Sequence, residues 1–249
     1  MNIVDMWHDV RGAGEPVVLL HGGMTDSRCF DGNLDGLAST FRTFLPDRRG
    51  HGHTPDAPGP LTIELMARDT IAFLEKTVGG PARLVGYSAG GAVALRVAMH
   101  RADLVERLVL ISTAYDVDGL IFKPQAGGEL PAEVVDAYAE VSPDGRDHFP
   151  VVTEKIVRAA ATEPSPSADD LGAVTTRTLV LAGDDDLVTL DHTVRLYQAL
   201  PTAELAVLPN ASHLLLMEHA ETVRAMVLRF LTTDAAPTYL PIARARRGS

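Results

Sequence analysis

Short runs of consecutive apolar residues alternate along this chain with longer stretches in which apolar positions recur every three or four residues. The runs fall at residues 4–10, 17–20, 41–45, 82–85, 107–111, 178–182 and 205–208, and each reads as a strand. Two of them, 17–20 and 205–208, are apolar at every position and most of the others nearly so, which fits strands covered on both faces. Helical spacing appears over residues 62–76, 92–98, 132–141 and 151–161. Thr62 is placed to cap the first of these, although Leu65 rather than Glu or Gln stands at its third position. Strand and helix in alternation predict a mostly parallel central sheet with helices on both faces, an α/β fold. Only one good strand fits before residue 17, so an edge strand is expected to be short or missing.

The alternation breaks at residues 112–172, a span too long for a plain crossover. It holds two of the helical stretches, separated by Ser142-Pro143-Asp144-Gly145 and followed by Pro164-Ser165-Pro166. The organisation read from this is a core over 1–111 and 173–234, a small helical insertion of two or three helices over 112–172, and a tail over 235–249. The tail carries Arg244, Arg246 and Arg247 with little apolar content and is expected to be flexible.

Chemistry enters at Gly86-Tyr87-Ser88-Ala89-Gly90, between the strand at 82–85 and the helix at 92–98. Glycines on both flanks of a serine let a strand turn sharply into a helix and expose the hydroxyl at the strand tip. A serine is a weak nucleophile, so it needs a base, and the base needs an orienting group. Both kinds of residue follow the later strands. The strand at 178–182 ends in Gly183-Asp184-Asp185-Asp186, and the strand at 205–208 leads into Pro209-Asn210-Ala211-Ser212-His213. Ligands bind outside the carboxyl ends of the strands in such sheets, where all three loops emerge.

Four segments together, His21-Gly22-Gly23-Met24, Asp47-Arg48-Arg49-Gly50-His51-Gly52, the serine elbow and the pair Asp186/His213, resemble the α/β-hydrolase superfamily in its serine-nucleophile branch. The resemblance covers nearly the whole chain and implies the α/β-hydrolase fold, with residues 112–172 as a cap over the site. It implies Ser88 as nucleophile, His213 as base and Asp186 as the acid, the third residue after Gly183. Asp184 is then a loop residue, Asp185 a solvated one, and Asp116 the alternative acid position. The oxyanion hole falls to the backbone N–H groups of Ala89 and Gly23, with Met24 close behind. His21 and His51 are expected beneath the site in structural roles. His100 and His192 are expected to be exposed at helix ends, His219 at the surface of the final helix, and His148 within reach of substrate.

The activity implied is hydrolysis of a carboxylic ester or lactone of a small to medium apolar substrate through an acyl-enzyme. Haloperoxidase or perhydrolase chemistry, carbon–carbon bond hydrolysis, and a non-hydrolytic binding or biosynthetic tailoring role on the same fold stand as alternatives. The histidines lack His-x-x-x-His spacing and no cysteine cluster exists, so no metal is expected. No nucleotide-binding loop is present, and no cofactor is implied. Cys29, the single cysteine, excludes an internal disulfide and reads as a small buried hydrophobe. A net charge of −11 speaks against nucleic acid as partner. No apolar run has the length of a membrane span, and residues 1–5 lack the features of a signal peptide, so a cytoplasmic chain acting on a small molecule is expected.

Overall fold

In the computed structural model, residues 3–123, 125, 130–235 and 238–240 are described. Seven strands form one sheet: β1 (His8–Arg11), β2 (Pro16–Leu20), β3 (Arg42–Pro46), β4 (Ala82–Tyr87), β5 (Val105–Ile111), β6 (Thr178–Asp185) and β7 (Ala203–Ser212). Their order across the sheet is β1-β3-β2-β4-β5-β6-β7, with β1 antiparallel to β3 and every other pair parallel. The α-helices are α1 (Ile63–Phe73), α2 (Ala89–His100), α3 (Ala132–Val141), α4 (Phe149–Thr162), α5 (Ala168–Gly172), α6 (Leu190–Ala199), α7 (Leu215–Glu218) and α8 (Ala220–Thr232).

The largely apolar central strands separate two cores. Val18, Leu20, Leu84, Leu108, Leu110 and Val180 face one side and pack with Met66, Ala67 and Phe73 of α1 and Val93, Ala94 and Val97 of α2. Their neighbours Val17, Leu19, Val85, Val109, Leu179 and Leu181 face the other, against Val223, Val227 and Phe230 of α8 and the short turns carrying Phe30, Leu34 and Leu37. Alternate side chains of a strand point to opposite faces, so a strand covered twice must be apolar throughout. This rigid double-sided packing fixes the strand tips from which the functional loops spring.

Several boundaries differ from the sequence reading, each for a local reason. Within residues 4–10 only His8 onward joins the sheet, because the backbone before it is engaged elsewhere: Val4 N–H donates to Asp69 and Trp7 N–H to Thr54. As the sequence reading expected, one strand precedes β2 among the described residues. Thr62 caps α1 as expected, accepting from Leu65 N–H at 3.1 Å, whereas the α-helix gives way at Leu74 to a π-helical turn, Leu74–Val78. The insertion holds α3, α4 and also α5, which a Ser167/Asp170 capping box initiates where the sequence showed only Pro and Ser punctuation. Asp184 is not a loop residue: β6 runs on to Asp185, and the Asp184 carboxylate accepts from Ala211 N–H of β7. His219 lies between α7 and α8 rather than within the last helix. The three tail arginines lie outside the described residues.

Candidate active site

Ser88 sits where β4 turns into α2, at φ 53° and ψ −122°. Positive φ is costly for a residue with a Cβ and persists only where the surroundings enforce it. The flanking glycines explain how: a Cβ on Gly86 would lie 2.4 Å from Gly90 O, and one on Gly90 would lie 2.1 Å from Leu20 O. Ser88 N–H is anchored on Ile111 O of β5 at 2.8 Å. The hydroxyl is thereby held out from the strand tip.

His213 follows β7 and brings Nε2 within 3.0 Å of Ser88 Oγ; its Nδ1 lies 2.7 Å from Asp186 Oδ1. Asp186 is buried and acceptor-rich. Oδ2 takes the Ser112 hydroxyl at 2.5 Å, and Oδ1 takes Val188 N–H at 3.1 Å. Burial works against its charged form, but the hydrogen bonds from His213, Ser112 and Val188 outweigh it and hold the carboxyl below its ordinary range. An ionised acceptor at Asp186 orders the imidazole with Nδ1 as donor, leaving Nε2 free to accept the serine proton.

The neighbouring carboxylates do other work. Asp185 is exposed and Asp184 pins β7. Asp116 accepts from Asp118 N–H inside its own turn, and its partner is not His213. Two residues that the sequence reading did not single out support the line. Ser112 holds Asp186, and the Tyr87 hydroxyl donates to His213 O at 2.8 Å while its ring lies 5.5 Å from the imidazole. Their positions, at the tips of β5 and β4, were the only signal available.

The other histidines separate by environment. His21 and His51 are buried and neutral, burial pushing His51 down to about 3 and His21 well below its usual value. His100 is exposed beside Glu64. His148 is joined to Asp56 at 2.9 Å. His192 is not exposed: it is 1% accessible, stacks on Tyr115 at 4.0 Å and accepts from Tyr115 N–H through Nε2. The helix start that seemed to put it in solvent instead faces the loop after β5, and burial lowers its pKa to about 4. Cys29 is half-buried, and burial raises its thiol to about 12.

Two clefts meet at Ser88. One, of about 200 Å³, runs between Leu61, Met66, Leu95, Met99 and Ile156; the other, of about 410 Å³, runs under Leu130, Val134, Phe149 and Met217 and is walled by His213. Gly23 and Ser88 border both, Ala89 borders the first and Met24 the second. A Cβ on Gly23 would stand 3.7 Å from Ala89 Cβ, so the two proposed oxyanion donors belong to adjoining backbone. Ser88 O accepts from Gly91 and Ala92 N–H, which in a trans peptide aims Ala89 N–H the opposite way, out of the helix. Among the described residues no three His, Cys, Asp or Glu side chains are grouped to hold a metal ion, and no helix is long and apolar enough to cross a membrane.

Residues 17–226 match the sequence profile of the alpha/beta hydrolase family. The chain belongs to that family. It is 26% identical, over 91% of its own length and 97% of the other's, to a protein of Rhizobium rhizogenes that carries the name "Putative carbamate hydrolase RutD". It is 27% identical to a non-heme haloperoxidase of Rhodococcus erythropolis, covering 88% and 93% of the two chains. The solved enol-lactonase of Burkholderia xenovorans LB400 superposes with a TM-score of 0.74 at 25% identity, covering 92% of this chain and 96% of that one. Membership of the alpha/beta hydrolase family makes the chain a hydrolase-type enzyme at the coarse level these relatives share.

Proposed function

We propose that this hydrolase cleaves carboxylic esters or lactones of small to medium apolar substrates through an acyl-enzyme on Ser88. The observation that carries the reading is the unbroken line from Ser88 Oγ through His213 to Asp186, at 3.0 and 2.7 Å. Ser88 Oγ attacks the carbonyl carbon as its proton passes to His213 Nε2, and the N–H groups of Gly23 and Ala89, with Met24 adjoining, face the oxygen as it becomes anionic. Collapse breaks the bond to the leaving alkoxide, which takes the proton from His213. Water, deprotonated by His213, then attacks the acyl carbon and frees the acid and the serine. Asp186 holds the tautomer and balances the imidazolium without itself being protonated.

The two clefts divide the substrate. A leaving group that is protonated by Nε2 must lie on the side of His213, so the second cleft receives it and the smaller first cleft, between Leu61, Met66, Leu95, Met99 and Ile156, receives the acyl chain. Residues 112–172 act as the cap, since α4 supplies walls to both clefts and α3 a wall to the second. Stoichiometric labelling by a fluorophosphonate, abolished in Ser88→Ala, together with turnover of p-nitrophenyl esters of graded acyl length, tests the reading. Absence of labelling in folded wild-type protein would favour a binding role and sink it. The Rhodococcus relative favours a second reading, perhydrolysis, in which hydrogen peroxide replaces water at the acyl carbon and a peracid leaves; peracid formation from an ester and peroxide distinguishes it.

A further inference from the structure

Gly22 and Gly23 present a problem that the hydrogen bonds around them solve. A Cβ on Gly22 would lie 3.3 Å from the Tyr87 ring and 3.5 Å from Ser88 Cβ, so the elbow leaves little room for a side chain there. Two consecutive glycines, however, leave the peptide between them free to rotate, because neither has a Cβ to restrict it. If that peptide turned over, it would present the Gly22 carbonyl, not the Gly23 N–H, to the serine. An electronegative oxygen would then meet the developing oxyanion.

Arg48 sits directly behind this peptide. It is 1% exposed and, among the described residues, has no carboxylate within ion-pair distance. Burying an unpaired guanidinium is expensive, and an apolar side chain of similar length would fill the space at less cost. Among the described residues Nε has no partner and Nη1 meets only Met66 Sδ, at 3.2 Å, but Nη2 goes to the loop before Gly23, 2.7 Å from His21 O and 2.7 Å from Gly22 O. Its backbone N–H donates to His21 Nε2 at 3.0 Å, which leaves the His21 proton on Nδ1, 2.8 Å from Gly22 O. Gly22 O therefore accepts from two donors on one side. In a trans peptide C=O and N–H point in opposite directions, so fixing this oxygen toward Arg48 turns the Gly23 N–H toward the cleft it shares with Ser88 and Ala89.

We infer that Arg48 is a positioning residue for catalysis, locking the Gly22–Gly23 peptide with its N–H toward the oxyanion. The inference rests on the serine-hydrolase reading above. Arg48 also borders the first cleft, but its Nη2 is engaged by the carbonyls of His21 and Gly22, and it acts through the peptide. Burial lowers its pKa to about 10, which leaves it cationic at neutral pH and so a permanent double donor.

The test compares Arg48→Met, Arg48→Gln and Arg48→Lys with wild type and Ser88→Ala, each checked for folding by circular dichroism and urea unfolding. Turnover of p-nitrophenyl butyrate is measured beside inhibition by n-butylboronic acid, which forms a tetrahedral serine adduct, and by butyrate, which does not. Loss of one oxyanion donor lowers kcat by about 100-fold or more. In Arg48→Met a fall of about that size is expected with KM within about threefold, boronate affinity falling in parallel, butyrate affinity unchanged, and partial recovery in Arg48→Lys. A purely structural residue would lower urea resistance and leave these ratios alone. A folded Arg48→Met with wild-type kcat, or with kcat lowered and boronate affinity intact, would overturn the inference. Should Arg48→Met not fold, Arg48→Gln decides by the same two measurements. Activity surviving in Ser88→Ala would instead dismiss the serine reading, whereas loss there with normal Arg48 variants dismisses this inference alone.

Discussion

Three consecutive aspartates, 184 to 186, share a charge at the end of β6 yet differ in every contact, and the difference decides their chemistry. Asp186 is buried against Ser112, Val188 and His213, Asp184 ties two strands together, and Asp185 faces solvent. In Asp186→Asn the amide can donate to His213 and favour the wrong tautomer, so kcat should fall by about 10⁴ while Asp185→Asn stays within about twofold of wild type. Equal losses in the two variants would refute the assignment. Ser112→Ala removes one donor from the carboxylate without touching the histidine, and a fall of about tenfold is expected, measured on the same ester. Ser88→Ala should abolish turnover and leave urea resistance nearly unchanged, since Ser88 is half-buried at an exposed turn. That Ser88, His213 and an acid of the 184–186 run converge was legible because each follows an apolar run at a strand tip, and the family resemblance picked Asp186 among the three. Ser112 and Tyr87 were not legible, because their partners lie 74 and 126 positions away and nothing local marks the pairing.

At the scale of elements, the central strands and the elbow were readable because largely apolar runs and flanking glycines are local properties. The insertion was readable as helices but not as to where it attaches. Its attachment is polar. Glu163, just past α4, accepts from Ile63 N–H at 2.7 Å and Glu64 N–H at 2.6 Å, capping α1 from another element. Asp56, in the loop after β3, accepts from Lys155 of α4 at 2.5 Å and pairs with His148. Glu163→Ala should destabilise the protein by about 1 kcal/mol, the usual worth of a helix cap, and raise KM for longer acyl chains because Glu163 and Ile63 both border the first cleft. Urea unfolding and a chain-length series measure the two effects. An unchanged KM across the series would show that the anchorage does not shape the cleft.

For the molecule as a whole, two consequences of acidification oppose one another, and their sizes decide the outcome. Lowering the pH toward the sequence pI of about 5.2 removes the net charge of −11 and relieves repulsion between surface carboxylates. That repulsion is spread over exposed groups and screened within about 8 Å at physiological salt. Against it stand His21, His51 and His192, buried and held neutral, with His51 near 3 and His192 near 4. In the unfolded chain each titrates near ~6.5. Between that value and the depressed folded values the unfolded state binds protons that the folded state refuses, so stability must fall as pH drops through this window. Each such histidine contributes up to about 1.4 kcal/mol per pH unit, more than a screened surface repulsion supplies. The depressed carboxyl of Asp186 adds a loss of the same sign only lower, as pH falls through its folded pKa. Net charge and histidine number were legible in the sequence, but not which histidines are buried, since His192 at a helix start looks exposed until Tyr115 is found stacked upon it. The urea midpoint should therefore decline from pH 7 to pH 5, and His192→Gln, which keeps an acceptor for Tyr115 N–H but cannot titrate, should show a shallower decline. A midpoint that rises toward pH 5 would mean that surface repulsion outweighs the buried histidines.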